Sequence, residues 1–119
     1  MKKLFILSFA LLSFALVNAQ DEADKKIIET SFEVKGVCDM CKTRIENAAM
    51  RTNGVKLAEW DKETQQLKVV YKNGKTTEAE IHQSVADYGH ETSQIPADSS
   101  AYTKLPDCCR YKDGAKCGH

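Results

Sequence analysis

Two cysteines three residues apart, Cys38 and Cys41, are the residues of this chain best suited to chemistry. The first lies in a predicted loop that begins at Gly36, and the second opens a predicted helix. Unpaired N–H groups at a helix N-terminus stabilise a thiolate, which is the form that binds metal or attacks a disulfide. The pair therefore suits either a thiophilic ion such as Cu(I) or Zn(II), or a reversible disulfide.

Hydrophobic periodicity predicts the elements that position this pair. Strands are expected over residues 30–36, 55–61, 67–71 and 90–95, and helices over 41–53 and from the capping box Thr77–Glu80 to Gly89. The order predicts an α+β, ferredoxin-like βαββαβ fold, with two helices on one face of a four-stranded antiparallel sheet. It also places the cysteine loop at the same end as Tyr88, Gly89 and His90.

The same periodicity assigns several side chains to a face. Trp60 and Tyr71 are expected in the core. His82 follows the core residue Ile81 and is expected to face solvent. Met40, between the two cysteines, is expected to be an exposed loop residue, although its thioether could also bind a soft metal.

The N-terminus has the pattern of a signal peptide over residues 1–19, with two lysines, an apolar run and small residues at the cleavage site. The apolar run is shorter than the roughly 20 residues that span a membrane. We therefore expect an exported protein, in the periplasm of a Gram-negative bacterium, with a disordered lead-in over residues 20–29. Cleavage would leave 15 basic and 17 acidic residues, a balance that favours neither nucleic acid nor an anionic membrane.

Several of these features together resemble the heavy-metal-associated domain family. They are the Gly36–Cys41 loop with its helix, the segment 53–55 after that helix, the strand containing Val69 and Tyr71, and the segment 88–89. The expected domain covers residues 30–96. One departure is Val37, because the family usually has Met directly before the first cysteine.

The resemblance implies that Cys38 and Cys41 bind one soft ion, most often Cu(I), with Hg(II) and Zn(II) as alternatives. It also implies that such an open site passes its ion to a partner's thiols, in a metal-transporting ATPase, an efflux component or a cuproprotein. Two such loops could share one ion in a metal-bridged dimer. In relatives, the residue at the position of His90 can approach the metal loop; otherwise His90 would face solvent.

The tail, residues 97–119, lies outside the resemblance and contains Cys108, Cys109, Cys117 and His119. After a predicted linker at 98–100, these residues form a Cys3His set that suits a tetrahedral metal site. A disulfide between Cys117 and Cys108 or Cys109 is an equal alternative in an exported protein. The tail could instead fold back and supply a ligand to the Cys38/Cys41 ion.

The sequence therefore predicts a non-enzymatic metal-binding protein. No hydrolytic group of residues and no phosphate-binding loop is visible in it. The alternative from another class is a thiol–disulfide oxidoreductase, supported by the cysteine pair at a helix N-terminus. The predicted strand order opposes that alternative, as does Val37 where thioredoxin-like proteins have an aromatic residue.

Overall fold

The computed structural model describes residues 26–115 and shows an α+β fold. Its elements are β1 (Ile27–Glu33), α1 (Asp39–Met50), β2 (Val55–Trp60), β3 (Gln66–Lys72), α2 (Glu78–Asp87) and α3 (Ser99–Thr103), followed by 3-10 turns at Asp107–Cys109 and Tyr111–Asp113. The predicted signal peptide lies outside the described residues. Within residues 26–115, no helix is both long enough and apolar enough to cross a membrane.

The three strands form an antiparallel sheet in the order β1–β3–β2. Phe32 of β1 and Trp60 of β2 both pair with Leu67 of the central strand, which aligns their side chains on one face. β1 begins earlier than expected, because Ile27 and Ile28 also pair with β3. The predicted lead-in is therefore wrong for its last three residues, which belong to the sheet.

The expected fourth strand over residues 90–95 is not formed among the described residues. The segment makes a single bridge, between Val34 and Thr92, flanked by hydrogen bonds from Lys35 N to the carbonyl of Glu91 (2.9 Å) and from Ser93 N to the carbonyl of Glu33 (3.0 Å). The hydroxyl of Thr92 then accepts hydrogen bonds from two following backbone N–H groups, at 3.2 and 3.0 Å. This local turn bends the chain away before a ladder can extend.

The core lies between one face of the sheet and helices α1 and α2. Trp60 and Tyr71 are buried there as predicted, and the indole N–H of Trp60 donates to the carbonyl of Val34 at 3.0 Å. We call residues 27–91 the body of the protein. Its residues that are fully shielded from solvent include Val34, Cys41, Ile45, Ala48, Ala49, Leu67, Val69, Ile81 and Val85. The hydrophobic faces of both predicted helices are thus confirmed.

His82 is buried, contrary to the prediction that it faces solvent. Its ring stacks on Phe32 with centroids 3.7 Å apart, and its Nδ1 lies 2.7 Å from the hydroxyl of Thr92. Residues 81, 82, 85 and 86 are all buried, so the apolar face of α2 is wider than periodicity around Ile81 suggested. Burial lowers the pKa of His82, and the nearby carboxylate of Glu78 opposes that effect.

The tail packs against the body rather than continuing as an extended linker. Asp98 caps α3, its Oδ2 accepting a hydrogen bond from Ala101 N at 2.9 Å. Leu105 is 2% exposed and Cys109 is fully buried, and both belong to the same hydrophobic cluster as Ile45 of α1. The core of this small protein is therefore completed by residues beyond the ferredoxin-like body.

Candidate metal site

The loop before α1 places the two cysteines of the pair on the first turn of the helix. Cys38 is the N-cap residue, with an extended backbone (φ −142°, ψ −176°), and its carbonyl accepts the hydrogen bond from Lys42 N at 2.9 Å. Cys41 follows three residues later in the same turn and is fully buried. A Cβ on Gly36 would lie 2.9 Å from the Trp60 ring and 3.2 Å from the Cβ of Cys41. Glycine is therefore needed for the loop to approach this closely.

The tail brings two more thiols to this pair. The Sγ atoms of Cys38, Cys108 and Cys109 all lie within 4.8 Å of one another. Cys38 Sγ is also 3.7 Å from the carbonyl oxygen of Cys108, and Cys41 interacts with the thiols of Cys38 and Cys109. All four cysteines are free thiols. We call these four residues the thiol cluster.

The distances within the thiol cluster suit a metal ion. A thiolate binds Zn(II) at about 2.3 Å, which separates two sulfurs by roughly 3.8 Å in a tetrahedral site and about 4.6 Å in a linear one. The limit of 4.8 Å for Cys38, Cys108 and Cys109 is close to this range. Because all the donors are sulfur, the cluster favours soft ions over Mg²⁺ or Ca²⁺.

The thiols of the cluster differ in acidity. Burial raises the pKa of Cys38, but the backbone N–H groups of Cys41 and Met40 and the neighbouring thiols outweigh it, so the net effect lowers that pKa. Burial raises the pKa of Cys109, and so does the adjacent Cys41. The pKa of Cys108 is raised for the same reasons, by burial and by its neighbour Cys38. The surroundings therefore favour deprotonation of Cys38 and oppose deprotonation of Cys108 and Cys109.

Tyr111 fastens the tail to the body next to the thiol cluster. Its hydroxyl donates to the carbonyl of Gly89 and accepts from Glu91 N, both at 2.8 Å. The same ring stacks on His90 with centroids 5.6 Å apart and meets Tyr102 edge-on at 5.2 Å. Burial raises the pKa of Tyr111 to about 12, so this hydroxyl keeps its proton and its donor role at neutral pH.

His90 lies near the metal loop but outside the thiol cluster. It is fully buried, and its Nδ1 lies 2.9 Å from the carbonyl of Lys35, directly before Gly36. The Nδ1 atom must carry the proton of the neutral ring in order to donate to that carbonyl. The predicted proximity of this segment to the loop is confirmed, whereas solvent exposure of His90 is not observed.

Two side chains beside the pair complete the geometry. Met40 is 49% exposed, as expected, although it lies in the first turn of α1 and not in a loop. Its Sδ atom is 3.6 Å from Cys108 Sγ. Val37, at the position where the family usually has Met, is partly buried against the core.

The sequence-predicted residues fall into three groups in the structure. Cys38, Cys41, Cys108 and Cys109 come together, His90 lies beside them, and Cys117 and His119 are outside the described residues. Sequence reasoning did not identify Tyr111 or Leu105, which hold the tail in place. An apolar and an aromatic residue on either side of Cys108–Cys109 are the signal that could have indicated a docked tail.

Comparison with known proteins identifies the family. The model of the heavy-metal-associated domain matches residues 31–91, about half of the chain. The chain therefore belongs to the heavy-metal-associated domain family, and the resemblance seen in the sequence is confirmed. The matched residues include Cys38 and Cys41 and end before the tail.

Solved structures of known proteins share the fold. A CopZ metallochaperone is 26% identical (TM-score 0.53), with 55% of this chain covering 98% of that one. Oxidised MerP from Ralstonia metallidurans CH34 is 25% identical (TM-score 0.55), with coverage of 57% and 96%. A copper-binding domain from HMA7, a P-type ATPase, is 28% identical (TM-score 0.53), with coverage of 60% and 96%. A comparison with curated proteins gives no significant match.

Proposed function

We propose that this protein is an exported, non-enzymatic carrier of a thiophilic metal ion, Cu(I) above all, and that Cys38 and Cys41 are its primary ligands. It would sequester the ion or pass it to a partner. The observation that carries the proposal is the position of these two free thiols on the first turn of α1, inside the part of the chain that matches the heavy-metal-associated family.

The chemistry of the pair supports a soft ion. Cys38 is the N-cap of α1, and the backbone N–H groups of Cys41 and Met40 contribute to lowering the pKa of its thiol. A lowered pKa favours the thiolate, which is the form that binds metal. Since the neighbouring donors are also sulfurs, the site favours a d10 ion such as Cu(I), Zn(II) or Hg(II).

The preference for Cu(I) within that group is supported by the similar structures. Two of the three neighbours described above are a metallochaperone and a copper-binding domain of a P-type ATPase, and the third is MerP. A metal-transporting ATPase, an efflux component or a cuproprotein is accordingly the kind of partner we propose. Transfer to such a partner would proceed by exchange of thiolate ligands, without release of the free ion.

An anaerobic Cu(I) titration against a competing chelator tests the ligand assignment. We expect the reduced wild-type protein to compete, and the variant Cys38→Ser/Cys41→Ser to lose more than about a hundredfold in affinity, because ligand loss should exceed the 10–100-fold effect of losing a supporting hydrogen bond. Circular dichroism of both proteins checks that the fold is retained. Unchanged affinity in the double variant would show that Cys38 and Cys41 are not the primary ligands.

The export part of the proposal has a separate test. Expression of the full chain in a Gram-negative host, followed by fractionation and N-terminal sequencing, should give a periplasmic protein that begins at Gln20. A cytoplasmic protein that retains its first 19 residues would contradict export without affecting the metal assignment.

A further inference from the structure

The tail contributes thiols to the same place as the family's cysteine pair. Cys108 and Cys109 lie on a 3-10 turn outside the matched residues 31–91, yet their sulfurs are within 4.8 Å of Cys38 Sγ. Cys109 is fully buried, and it also interacts with Cys41. The tail therefore completes the core and also places two thiols beside the pair.

We propose that Cys108 and Cys109 add ligands to the pair, so that one soft ion is bound by the thiolates of Cys38 and Cys41 and by one or both thiolates of the tail. This proposal rests on the proposed function, because it concerns the ion that the pair binds. It changes the kind of site: a pair open to solvent becomes a closed cage, part of which is supplied by the tail of the same chain.

The sulfur positions favour a higher coordination number than two. Three thiolate bonds of about 2.3 Å in a trigonal site place the sulfurs about 4.0 Å apart, and the three sulfurs here are mutually within 4.8 Å. A carboxylate or imidazole is not part of this group among the described residues, so all of its donors have the same soft character. The exposed Met40 thioether borders the group on its solvent side, 3.6 Å from Cys108.

Binding is balanced by the release of protons. Each thiol that becomes a ligand loses its S–H proton to solvent as its metal–sulfur bond forms, and the oxidation states of metal and sulfur do not change. The site therefore needs no oxidant or reductant once its thiols are reduced.

Contacts on both sides of the cysteine turn hold the tail against the body. The hydroxyl of Tyr111 bonds on both sides of His90, to the carbonyl of Gly89 and the N–H of Glu91. Leu105 is buried on the other side of the cysteine turn. We assign Tyr111 as a positioning residue, which holds Cys108 and Cys109 over the pair without touching the ion.

A closed cage has a consequence for metal transfer. A partner that takes the ion by ligand exchange must first bring its own thiolate within bonding distance of that ion. Because Cys108 and Cys109 occupy that approach, they must separate from the pair before exchange can begin. The tail would thus slow release, and the protein would retain its ion until a partner or a chelator displaces the tail.

X-ray absorption spectroscopy of the Cu(I)-loaded full chain tests the cage, because it counts the sulfur neighbours of the ion. We expect three or more in the wild type and two in the variant Cys108→Ser/Cys109→Ser. In the chelator titration, the same variant should lose at least about tenfold in affinity, since ligand loss should cost no less than the loss of a supporting hydrogen bond. Two sulfurs in both proteins, with equal affinity, would overturn the cage.

This outcome is distinguishable from failure of the proposed function. If the tail variant behaves as wild type while Cys38→Ser/Cys41→Ser fails to bind, the cage is wrong and the pair remains the site. If the opposite holds, the proposed primary ligands are wrong and the tail is the site. Circular dichroism of each variant shows whether a loss of binding comes from unfolding.

The role of Tyr111 is tested by a matched pair of tyrosine variants. Tyr111→Phe removes the two hydrogen bonds to the body, whereas Tyr102→Phe removes only a bond within the tail, from Lys112 N at 2.9 Å. We expect Tyr111→Phe to transfer Cu(I) to a dithiol chelator several-fold faster, with Tyr102→Phe close to wild type. Equal transfer rates in all three proteins would show that Tyr111 does not control access.

Discussion

The body of the protein, residues 27–91, and the described part of its tail, residues 97–115, contribute to one core in different ways. The body is built on a sheet and two helices whose buried residues come from several distant parts of the sequence. The tail has one short helix and two 3-10 turns, and it relies on a few contacts, chiefly those of Leu105, Cys109 and Tyr111. The tail is therefore held in place by fewer contacts than the body.

The two regions also differ in what family membership says about them. The family model accounts for the body and for Cys38 and Cys41, and it ends before the tail. Yet the tail supplies two of the four thiols in the cluster. The difference shows that a domain's family can identify the class of site while residues outside the domain place further thiols beside it.

The largest expected effect is a loss of stability when one buried leucine is truncated to alanine, and it should differ between the body and the tail. Leu67→Ala in β3 should destabilise the protein by about 3–5 kcal/mol, because the side chain is fully buried in the sheet face. Leu105→Ala should cost about 2–3 kcal/mol, because Leu105 is also buried but the short tail can close part of the cavity. Urea unfolding of the metal-free proteins measures both values.

The ratio of these two costs tells how firmly the tail is docked. If the tail can undock before the body unfolds, the cost of Leu105→Ala cannot exceed the free energy of docking. A cost below about 0.5 kcal/mol would mean that the tail is largely undocked in solution, and Cys108 and Cys109 would then not be held beside the pair.

The elements of the body were predictable because they depend on local patterns. Alternation identified β1, β2 and β3, and the capping box located the start of α2, where the hydroxyl of Thr77 accepts from Glu80 N at 3.2 Å. The prediction of a fourth strand over residues 90–95 was wrong for an equally local reason. Thr92 bonds its own turn, and the strength of that competing turn was not visible in the apolar pattern of 90–95.

The site was predictable only in part. The spacing of Cys38 and Cys41 indicated the pair as candidate ligands, and three arrangements of the tail cysteines remained open from sequence. Which arrangement forms depends on where the tail docks. Cys108 is 70 residues from Cys38 in the sequence, and a tertiary contact of this kind leaves no periodic signal. His82 was misassigned for a related reason, because its burial depends on stacking with Phe32 of another element.

Acid conditions should destabilise the protein through His90, a body residue on which Tyr111 of the tail stacks. Burial lowers the pKa of His90 to about 4, and the Arg44 charge contributes in the same direction against the bond to Lys35. Between pH 6.5 and about 4 the unfolded chain binds a proton that the folded protein does not, so stability is lost as pH falls through that window. The loss attributable to His90 should reach up to about 3 kcal/mol at pH 4.

Urea unfolding of the metal-free protein at pH 7, 5 and 4 measures this loss. Carboxylates also lose stabilisation in acid, so the informative quantity is the difference between the wild type and His90→Gln, whose amide does not titrate. The buried His82, with a lowered pKa, contributes in the same direction in both proteins. Identical pH dependence in the two proteins would show that His90 is accessible to protons, and hence that the tail does not cover it.

A smaller effect is expected from two glycines with left-handed backbones. Substitution of Gly89 (φ +100°) or Gly114 (φ +78°) by Ala should lower the free energy of unfolding by about 1–2 kcal/mol from backbone strain alone. At Gly89 the new Cβ would also lie 3.1 Å from the backbone of Ala101 and Tyr102, whereas at Gly114 nothing lies within 4 Å. Gly89→Ala should therefore be the more destabilising by about 1 kcal/mol or more.

Thermal unfolding of both glycine variants, with and without Cu(I), provides the measurement. The added Cβ at Gly89 would weaken the contact between α3 and the end of α2. Because this contact helps to hold the tail, Gly89→Ala should also transfer its ion faster. Equal destabilisation by the two substitutions would mean that α3 does not pack against Gly89 as described.

The smallest expected effect concerns Met40, the body residue that meets the tail thiol Cys108 at 3.6 Å. Met40→Leu should change Cu(I) affinity by less than about threefold, because a thioether beside a thiol is a weak partner. Met50→Leu, at an exposed position of the same helix, is the matched control and should have no effect. The chelator titration and the sulfur count by X-ray absorption measure both variants. If Met40→Leu alone removes one sulfur neighbour, then the body itself supplies a third ligand, and fewer tail thiols are needed to close the site.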